Sequence, residues 1–153
     1  MKKDILKKSE VSISGVYCKH IDEAEWTVNS RFRVFTFPDA ENFGNRKMTA
    51  DLLEFDSGDI LYDMIEYHDS VEIAYFFDPV IMLMGDTRVE DNCPPSIDSL
   101  HLVRIEANSQ LKIGAYVPHF IPYAIDSIAK ALFILPEKHN VFLLPLDDAI
   151  SSY

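Results

Sequence analysis

DLLEFDSGDILYDMIEYHD, residues 51–69, carries seven carboxylates in nineteen positions and contains neither Lys nor Arg. In its second half the apolar residues recur at intervals of three and four, which is the period of an α-helix packed on one side. Ser57 stands where a helix N-cap is expected. The stretch therefore predicts a helix over residues 58–69. The exposed face of this helix would carry an acidic stripe formed by Asp59, Asp63 and Glu66.

A second helix and a set of strands are predicted on either side of this stretch. Residues 121–135 space their apolar side chains along one side of a helix, with Pro122 in the first turn and Pro136 after the end. Alternating or continuous apolar runs predict strands. These runs are residues 10–17, 25–37, 70–77, 79–85, 99–107, 111–117 and 140–146.

The order of these elements predicts an α+β fold. Strands and helices do not alternate as they do in a parallel doubly wound sheet. The runs 99–107 and 111–117 are separated by only three polar residues, so they predict a hairpin. We expect a largely antiparallel mixed sheet of about six to seven strands, with two helices packed on it.

Length and composition predict a single globular domain over residues 1–153. The chain is 48% hydrophobic and 25% charged, values typical of a protein with one core. Residues 1–8 form a basic leader that need not be ordered, and they lack the apolar run of a secretory signal. No apolar stretch reaches the roughly 18–20 residues that span a bilayer. We therefore expect a cytoplasmic protein with no membrane partner, in which Cys18 and Cys93 are free thiols.

The negative charge is concentrated in the middle third of the chain. The formal net charge is −11, and residues 51–98 contain thirteen acidic side chains against the single cation Arg88. Binding a nucleic-acid backbone requires clustered Lys and Arg, so the composition argues against a nucleic-acid partner. A surface of one sign instead favours a basic protein partner.

No catalytic or cofactor motif is present. The glycines are isolated, which excludes dinucleotide-binding and phosphate-binding Gly-rich loops, and there is no G-x-S-x-G. Groups of possible metal donors occur without a recognised metal-ligand spacing. These groups are Cys18 with His20, Glu66 with His68 and Asp69, and His119 by itself. His68, on the apolar side of the predicted helix, is interpreted as a core histidine, and no cofactor is predicted.

The acidic stripe is interpreted as a surface that binds a basic partner. Like charges three and four residues apart on a helix cost about 0.2–0.5 kcal/mol per pair, so a face kept only for solubility would be expected to mix both signs. Tyr62 lies on the acidic side and would be an aromatic anchor. The residues predicted to contact the partner are Asp56, Asp59, Tyr62, Asp63, Glu66, Asp69, Glu90 and Asp91.

In size and charge the chain resembles immunity proteins, small acidic inhibitors that neutralise bacterial toxins such as nucleases. The resemblance rests on no motif, and it implies a protein that is not an enzyme and that inhibits a basic toxin. Other hypotheses remain open. They are a solvated face that only keeps the protein soluble, a DNA mimic or other protein-interaction module, and a metal-dependent hydrolase with Asp59, Asp63 and Glu66 as ligands.

Overall fold

Two facing β-sheets make up the fold. The computed structural model describes residues 1–8, 12–23, 26–28, 33–35, 43–89 and 93–153. Within these ranges it contains fourteen strands, short 3₁₀ turns and no α-helix. The strands are β1 (Lys2–Lys3), β2 (Ile5–Lys7), β3 (Val16–His20), β4 (Trp26–Val28), β5 (Arg33–Phe35), β6 (Met48–Asp56), β7 (Leu61–His68), β8 (Glu72–Phe76), β9 (Val80–Gly85), β10 (Leu100–Ile105), β11 (Ser109–Ile113), β12 (Tyr123–Ala124), β13 (Ile128–Pro136) and β14 (Val141–Ser152).

The first sheet, sheet I, is antiparallel throughout. Its strand order is β3-β11-β8-β13-β6. The longest ladder pairs β13 with β6 in unbroken register, from Ile128 opposite Asp56 to Pro136 opposite Met48. Because side chains alternate between the two faces of a strand, every second residue of β6 and β13 faces the opposite sheet.

The second sheet, sheet II, has two parts. One part has the order β12-β9-β10-β2 and the other has the order β1-β14-β7. The short strands β1 and β2 pair in parallel with their neighbours, whereas the other pairs are antiparallel. The two parts meet at His119, which bridges Glu66 of β7 and Met84 of β9. Strands β4 and β5 form a separate hairpin.

Strand β9 of sheet II is buried on both faces. Met82 of β9 belongs to the main core cluster together with Phe55 and Phe133 of sheet I. The adjacent Leu83 belongs to a second cluster with Ile65 of β7. Neighbouring residues of a strand point to opposite faces, which explains why β9 is apolar along its whole length.

The helix predicted over residues 58–69 is wrong. This segment forms the loop after β6 and then strand β7. The pairing of β7 with β14 shifts register between Pro145 and Ile150, so the extra residues lie in β14 and not in β7. Of the acidic residues spaced by three and four, Asp59 lies in the loop, and only Asp63 and Glu66 lie in β7. The apparent helical period therefore spans two different elements.

The helix predicted over residues 121–135 is also wrong. Strands β12 and β13 occupy this part of the chain. On β13, Ala131 and Phe133 are buried, while Leu132 between them is only half-buried. Because residues on the outer face of β13 are also apolar, the period of two was hidden in the sequence. The α+β interpretation, with two helices on one sheet, is thus replaced by an all-β fold.

Several strand predictions are confirmed, but not their predicted pairing. Segments 70–77 and 79–85 contain β8 and β9, which lie in different sheets. Strands β10 and β11, predicted as a hairpin, also lie in different sheets. Asn108 between them has a φ of 57°, a left-handed conformation that Asn tolerates. The chain passes from sheet II to sheet I at this residue.

The N-terminal residues contribute to sheet II. Residues 1–8, expected as a basic leader, contain β1 and β2, which pair with β14 and β10. Cys18 and Cys93 are free thiols, as predicted. In the part of the chain that the structure describes, no helix has the length and apolar character needed to cross a membrane.

Candidate active site

The junction between the two parts of sheet II places a carboxylate beside an imidazole. The Glu66 N–H donates to the His119 carbonyl at 2.7 Å, and the His119 N–H donates to the Glu66 carbonyl at 2.8 Å. Two residues that exchange both backbone hydrogen bonds project their side chains to the same face. His68 follows two positions after Glu66 on β7, and Glu72 comes from β8 in the facing sheet. We call Glu66, His68, Glu72 and His119 the interior cluster.

His119 presents an unprotonated ring nitrogen. Its Nδ1 lies 2.9 Å from the Val117 carbonyl oxygen, which can only accept, so Nδ1 carries the proton. Its side chain is 2% exposed, and its Nε2 has no hydrogen-bond partner among the described residues. Burial lowers the pKa of His119 to about 4, so the ring is neutral near pH 7. Nε2 is therefore free to accept a proton.

His68 lies against His119 and is also neutral. The two rings are nearly parallel, with centroids 5.1 Å apart and an interplanar angle of 15°. Burial, and then the nearby His139, lower the pKa of His68 to about 4. Neither ring nitrogen of His68 has a partner within the described chain. Buried polar atoms are normally hydrogen-bonded, so these nitrogens indicate a place where another molecule or ion binds.

Glu72 faces both imidazoles. Its Oε2 is 3.8 Å from His68 Nε2 and its Oε1 is 3.9 Å from His119 Nε2. Both distances exceed that of a hydrogen bond, and with neutral rings these contacts are not ion pairs. Burial, and then the Glu66 carboxylate, raise the pKa of Glu72 to about 8. Burial also raises the pKa of Glu66. Near neutral pH, Glu72 is thus mostly a protonated acid beside an unprotonated base.

A cavity of about 220 Å³ opens onto three members of the interior cluster. Apolar side chains from both β6 and β13 form one wall, and no Lys or Arg is among the described lining residues. The lining consists of Asp51, Leu53, Phe55, Glu66, Glu72, Met82, His119, Ile121, Pro122, Phe133 and Leu135. A small polar molecule in this cavity would meet the base and the acid together.

Three of the cluster residues fit a metal ion. Glu66, His68 and His119 each offer one ligand atom, and these atoms lie within 4.8 Å of one another. Two neutral imidazoles and a carboxylate are a donor set that divalent transition metals accept. The nitrogens without hydrogen-bond partners are consistent with that use. The residues present therefore fit such an ion.

Most of the predicted contact residues lie away from this site. Asp56, Asp59 and Asp63 are exposed, and they do not form a stripe with Glu66, which points into the cavity. Glu66 is the one predicted residue, among those described, that belongs to the interior cluster. Glu90 and Asp91 lie outside the described residues.

Two more predicted contact residues have structural roles. Tyr62, expected as an exposed anchor, is 1% exposed, and its hydroxyl donates to the Ile81 carbonyl at 3.1 Å. Asp69 accepts hydrogen bonds from the backbone and side chain of Asn140. Tyr62 is not available as predicted, because it lies in the core, whereas Asp69 is partly exposed and holds Asn140 at the end of β7.

Sequence analysis did not identify Glu72 and assigned His68 to the core. A period of two over residues 66–68 would have placed Glu66 and His68 on one face of a strand. Nothing in the sequence indicates that His119 and Glu72 join them, since these residues are brought together by pairing between distant segments. The site is therefore a product of the tertiary fold.

The two facing sheets and the cluster between them define a protein with the cupin-like fold of RmlC. Similar solved structures include dTDP-6-deoxy-D-glucose-3,5-epimerase RmlC from Legionella pneumophila Philadelphia 1, in complex with dTDP-4-keto-L-rhamnose. Its TM-score is 0.55 at 13% identity, over 91% of this chain and 76% of that one.

Two further structures share the fold. RmlC from Streptococcus suis, in complex with dTDP-D-xylose, has a TM-score of 0.52 at 10% identity, over 82% of this chain and 66% of that one. NovW is a 4-keto-6-deoxy sugar epimerase from the novobiocin biosynthetic gene cluster of Streptomyces spheroides. Its TM-score is 0.53 at 15% identity, over 97% of this chain and 73% of that one. The sequence matches no protein-family model and no curated protein.

These findings overturn the expectation of an immunity-type inhibitor that is not an enzyme. The helical stripe on which it depended does not exist, and Glu66 points inward. The fold is instead one shared with sugar epimerases. A DNA mimic and a hydrolase with Asp59, Asp63 and Glu66 as ligands depended on the same stripe and are set aside with it.

Proposed function

We propose that this chain is an enzyme that moves protons on a small carbonyl compound, in the manner of an epimerase or isomerase. The observation that carries the proposal is His119 Nε2, which is buried, unprotonated and without a hydrogen-bond partner among the described residues, on the wall of the cavity. Histidine is the side chain that most often acts as a general base, and the unshared pair of Nε2 could take a proton from a carbon next to a carbonyl group. The fold, shared with three sugar epimerases, supports the same class of reaction.

The reaction needs an acid as well as a base, and Glu72 supplies it. As the carbon–hydrogen bond breaks, His119 Nε2 takes the proton and the electron pair moves through the adjacent carbon to the carbonyl oxygen. The protonated Glu72 carboxyl, 3.9 Å from Nε2, donates its proton to that oxygen and gives an enol. A carboxylic acid kept neutral by burial is a known donor for this step.

The proton returns in the second half of the reaction. When His119 delivers it to the former carbonyl carbon of an α-hydroxy carbonyl compound, the hydroxyl on the neighbouring carbon gives its proton to Glu72 and becomes the new carbonyl. The product is an isomer, and both groups regain their starting state. Inversion of the first carbon instead requires a second proton donor on its opposite face, which is recharged from His119 through solvent, while the enol hydroxyl returns its proton to Glu72. The apolar wall formed by Leu53, Phe55 and Phe133 keeps bulk water away from the intermediate.

Solvent exchange tests this proposal. The protein is incubated in deuterated water with 4-keto-6-deoxy sugars, free and dTDP-linked, and deuterium at the carbons beside the carbonyl is followed by NMR. The wild-type protein is expected to exchange these positions, and His119→Gln to lose roughly 10²–10⁴-fold in rate. His20→Gln is a matched control, since His20 lies outside the cavity lining. No exchange by the wild type, or full exchange by His119→Gln, would contradict the proposal.

A second candidate is a metal-dependent enzyme, favoured by the three converging ligand atoms of Glu66, His68 and His119. A bound divalent ion would supply Lewis-acid polarisation of a substrate oxygen. Metal analysis of the purified protein, and titration of the EDTA-treated protein with Mn²⁺, Co²⁺ and Zn²⁺, test this candidate. One equivalent bound by the wild type and by His20→Gln, but not by His68→Gln, is expected. Equal binding by all three proteins would exclude this site.

A further inference from the structure

The cavity next to the interior cluster is lined by acidic side chains that no described cation balances. Three carboxyl side chains line it, those of Asp51, Glu66 and Glu72, and its described lining contains no Lys or Arg. The only imidazole among the described lining residues, that of His119, donates through Nδ1 to the Val117 carbonyl and leaves Nε2 as an acceptor without a described partner. The polar atoms of the lining are therefore mostly acceptors of hydrogen bonds. The charge that the described lining can carry is negative.

Asp51 stands at the mouth of this cavity. It lies on β6 opposite Phe133 of β13, on the same inward face as Leu53 and Phe55. It is exposed, as is Ile121 on the other side of the opening. In the described structure its carboxylate makes no ion pair, whereas Glu54, on the outer face, lies 3.0 Å from Lys130 Nζ. Asp51 is thus the one acid on the inward face of β6, and no described cation pairs with it.

The second observation comes from the floor of the cavity. His119 is 2% exposed, and its Nε2 faces the cavity without a partner among the described atoms. A lone pair buried in this way costs free energy unless a ligand donates to it. A ligand rich in N–H donors would satisfy Nε2 and the carboxylates together.

The apolar wall is also compatible with a positive charge. Phe55 and Phe133 pack edge to face at 6.1 Å, and both line the cavity. Aromatic rings attract ammonium groups, and they do so more strongly when water is excluded. An anionic group in the same place would meet the carboxylates with no described cation to balance it.

We propose that the part of the substrate that enters this cavity carries an amino group, positively charged at neutral pH, which Asp51 and Glu66 recognise. The substrate class is then a small aminated carbonyl compound such as an amino sugar, which deepens the proposed function and rests on it for the reaction. The related epimerases were solved with dTDP-linked sugars that are not aminated. Recognition of an amine would distinguish this chain from them.

Calorimetric titration of the full chain with three matched probes tests the charge preference. The probes are glucosamine, glucose and glucose 1-phosphate, each titrated at low ionic strength in the presence of EDTA. Glucosamine is expected to bind about tenfold more tightly than glucose, because hydrogen bonds from an ammonium group to a carboxylate are stronger than those between neutral groups. Glucose 1-phosphate is expected to bind more weakly than glucose.

Two variants locate the interaction. Asp51→Asn, at an exposed position, is expected to weaken glucosamine binding about three- to fivefold and to leave glucose unchanged. Glu66→Gln is expected to weaken it about tenfold. Asp59→Asn, in the exposed loop before β7, is the control and is expected to have no effect. Equal affinity for the three probes, preference for the phosphate, no binding of any probe, or an unchanged amine preference in Asp51→Asn and Glu66→Gln would overturn the proposal.

The outcomes also separate this proposal from the proposed function. If a neutral keto sugar exchanges deuterium and amines are not preferred, the proposed enzyme activity is supported and the proposed amine site is rejected. If amines bind selectively but neither an aminated nor a neutral keto sugar exchanges deuterium, the amine site is supported and the proposed reaction is rejected. If the protein binds a metal ion and shows no amine binding after EDTA treatment, the acidic lining serves the ion and the amine proposal fails.

Discussion

Single residues decide where His119 lies. The Gly85 N–H donates to the Pro118 carbonyl at 2.8 Å, and this contact holds the segment before His119 against β9. A Cβ built at Gly85 would overlap the Pro118 ring and would come within 3.1 Å of Leu100 Cδ2. Gly85 is therefore needed for the close approach that positions the base.

Gly85→Ala is expected to destabilise the protein by about 1–3 kcal/mol, because either Pro118 or β9 must move. The free energy of unfolding in urea measures this cost. Gly58→Ala is the matched control, since nothing lies within 4 Å of a Cβ at that position. An equal effect of the two substitutions would show that the contact at Pro118 does not restrain the segment.

Glu72 makes stability depend on pH. Burial raises its pKa to about 8 from an ordinary 4.5, so between these values the folded protein keeps a proton that the unfolded chain releases. Stability from this group is complete below pH 4.5 and is lost as the pH rises toward 8. Glu72→Gln removes the effect and is expected to gain stability relative to wild type as the pH rises through this window.

Thermal unfolding with EDTA at about pH 5, 6.5 and 8 measures the gain. Glu54→Gln serves as a control, because that carboxylate is exposed and pairs with Lys130 on the outer face. A gain from Glu72→Gln that is the same at all three values would show that Glu72 does not titrate in this range.

At the scale of elements, the sequence indicated strands where apolar residues run without interruption, as in β9, or alternate with polar ones, as in β10. Strand β9 is apolar along its whole length because it is buried on both faces. The helix predictions failed because the acidic spacing spans both the loop before β7 and β7 itself, and because β13 carries apolar residues on its outer face. A local pattern cannot report which face of a strand another sheet will cover.

The assignment of β13 as a strand has a mutational consequence. A helix over residues 121–135 would bury Ile128, whereas the strand leaves Ile128 half exposed and buries Phe133. Phe133→Ala is expected to cost about 3–5 kcal/mol, and Ile128→Ala less than about 1 kcal/mol. Urea unfolding of the two variants measures both costs. A larger loss of stability in Ile128→Ala than in Phe133→Ala would contradict the strand and favour the helix.

For the whole molecule, the composition predicted strong negative charge but not its use. Glu66 and Glu72 enter the interior cluster, while Asp56, Asp59 and Asp63 remain at the surface. The cluster joins β7, β8 and the segment at His119, and their adjacency depends on strand order across two sheets. Motif spacing could not reveal the interior cluster, because its residues come from two different sheets and meet only in the folded protein.

The remaining surface charge predicts a response of stability to salt. With a net charge of −11, repulsion among exposed carboxylates opposes the compact state, and added salt screens it. Tm is expected to rise between about 20 mM and about 500 mM NaCl. The double variant Asp59→Asn and Asp63→Asn is expected to show a smaller rise. A Tm that is independent of salt in the wild type would show that this repulsion is negligible.

The proposed reaction depends on the protonation state of His119, which ¹⁵N NMR of the histidine side chains measures. The EDTA-treated protein is recorded at about pH 7 and about pH 5, and the His119 signals are assigned by their loss in His119→Gln. A neutral ring is expected at both values, protonated at Nδ1 and unprotonated at Nε2, because the pKa is lowered to about 4. A proton on Nε2 at neutral pH, or titration near the ordinary value of 6.5, would rule out His119 as the base.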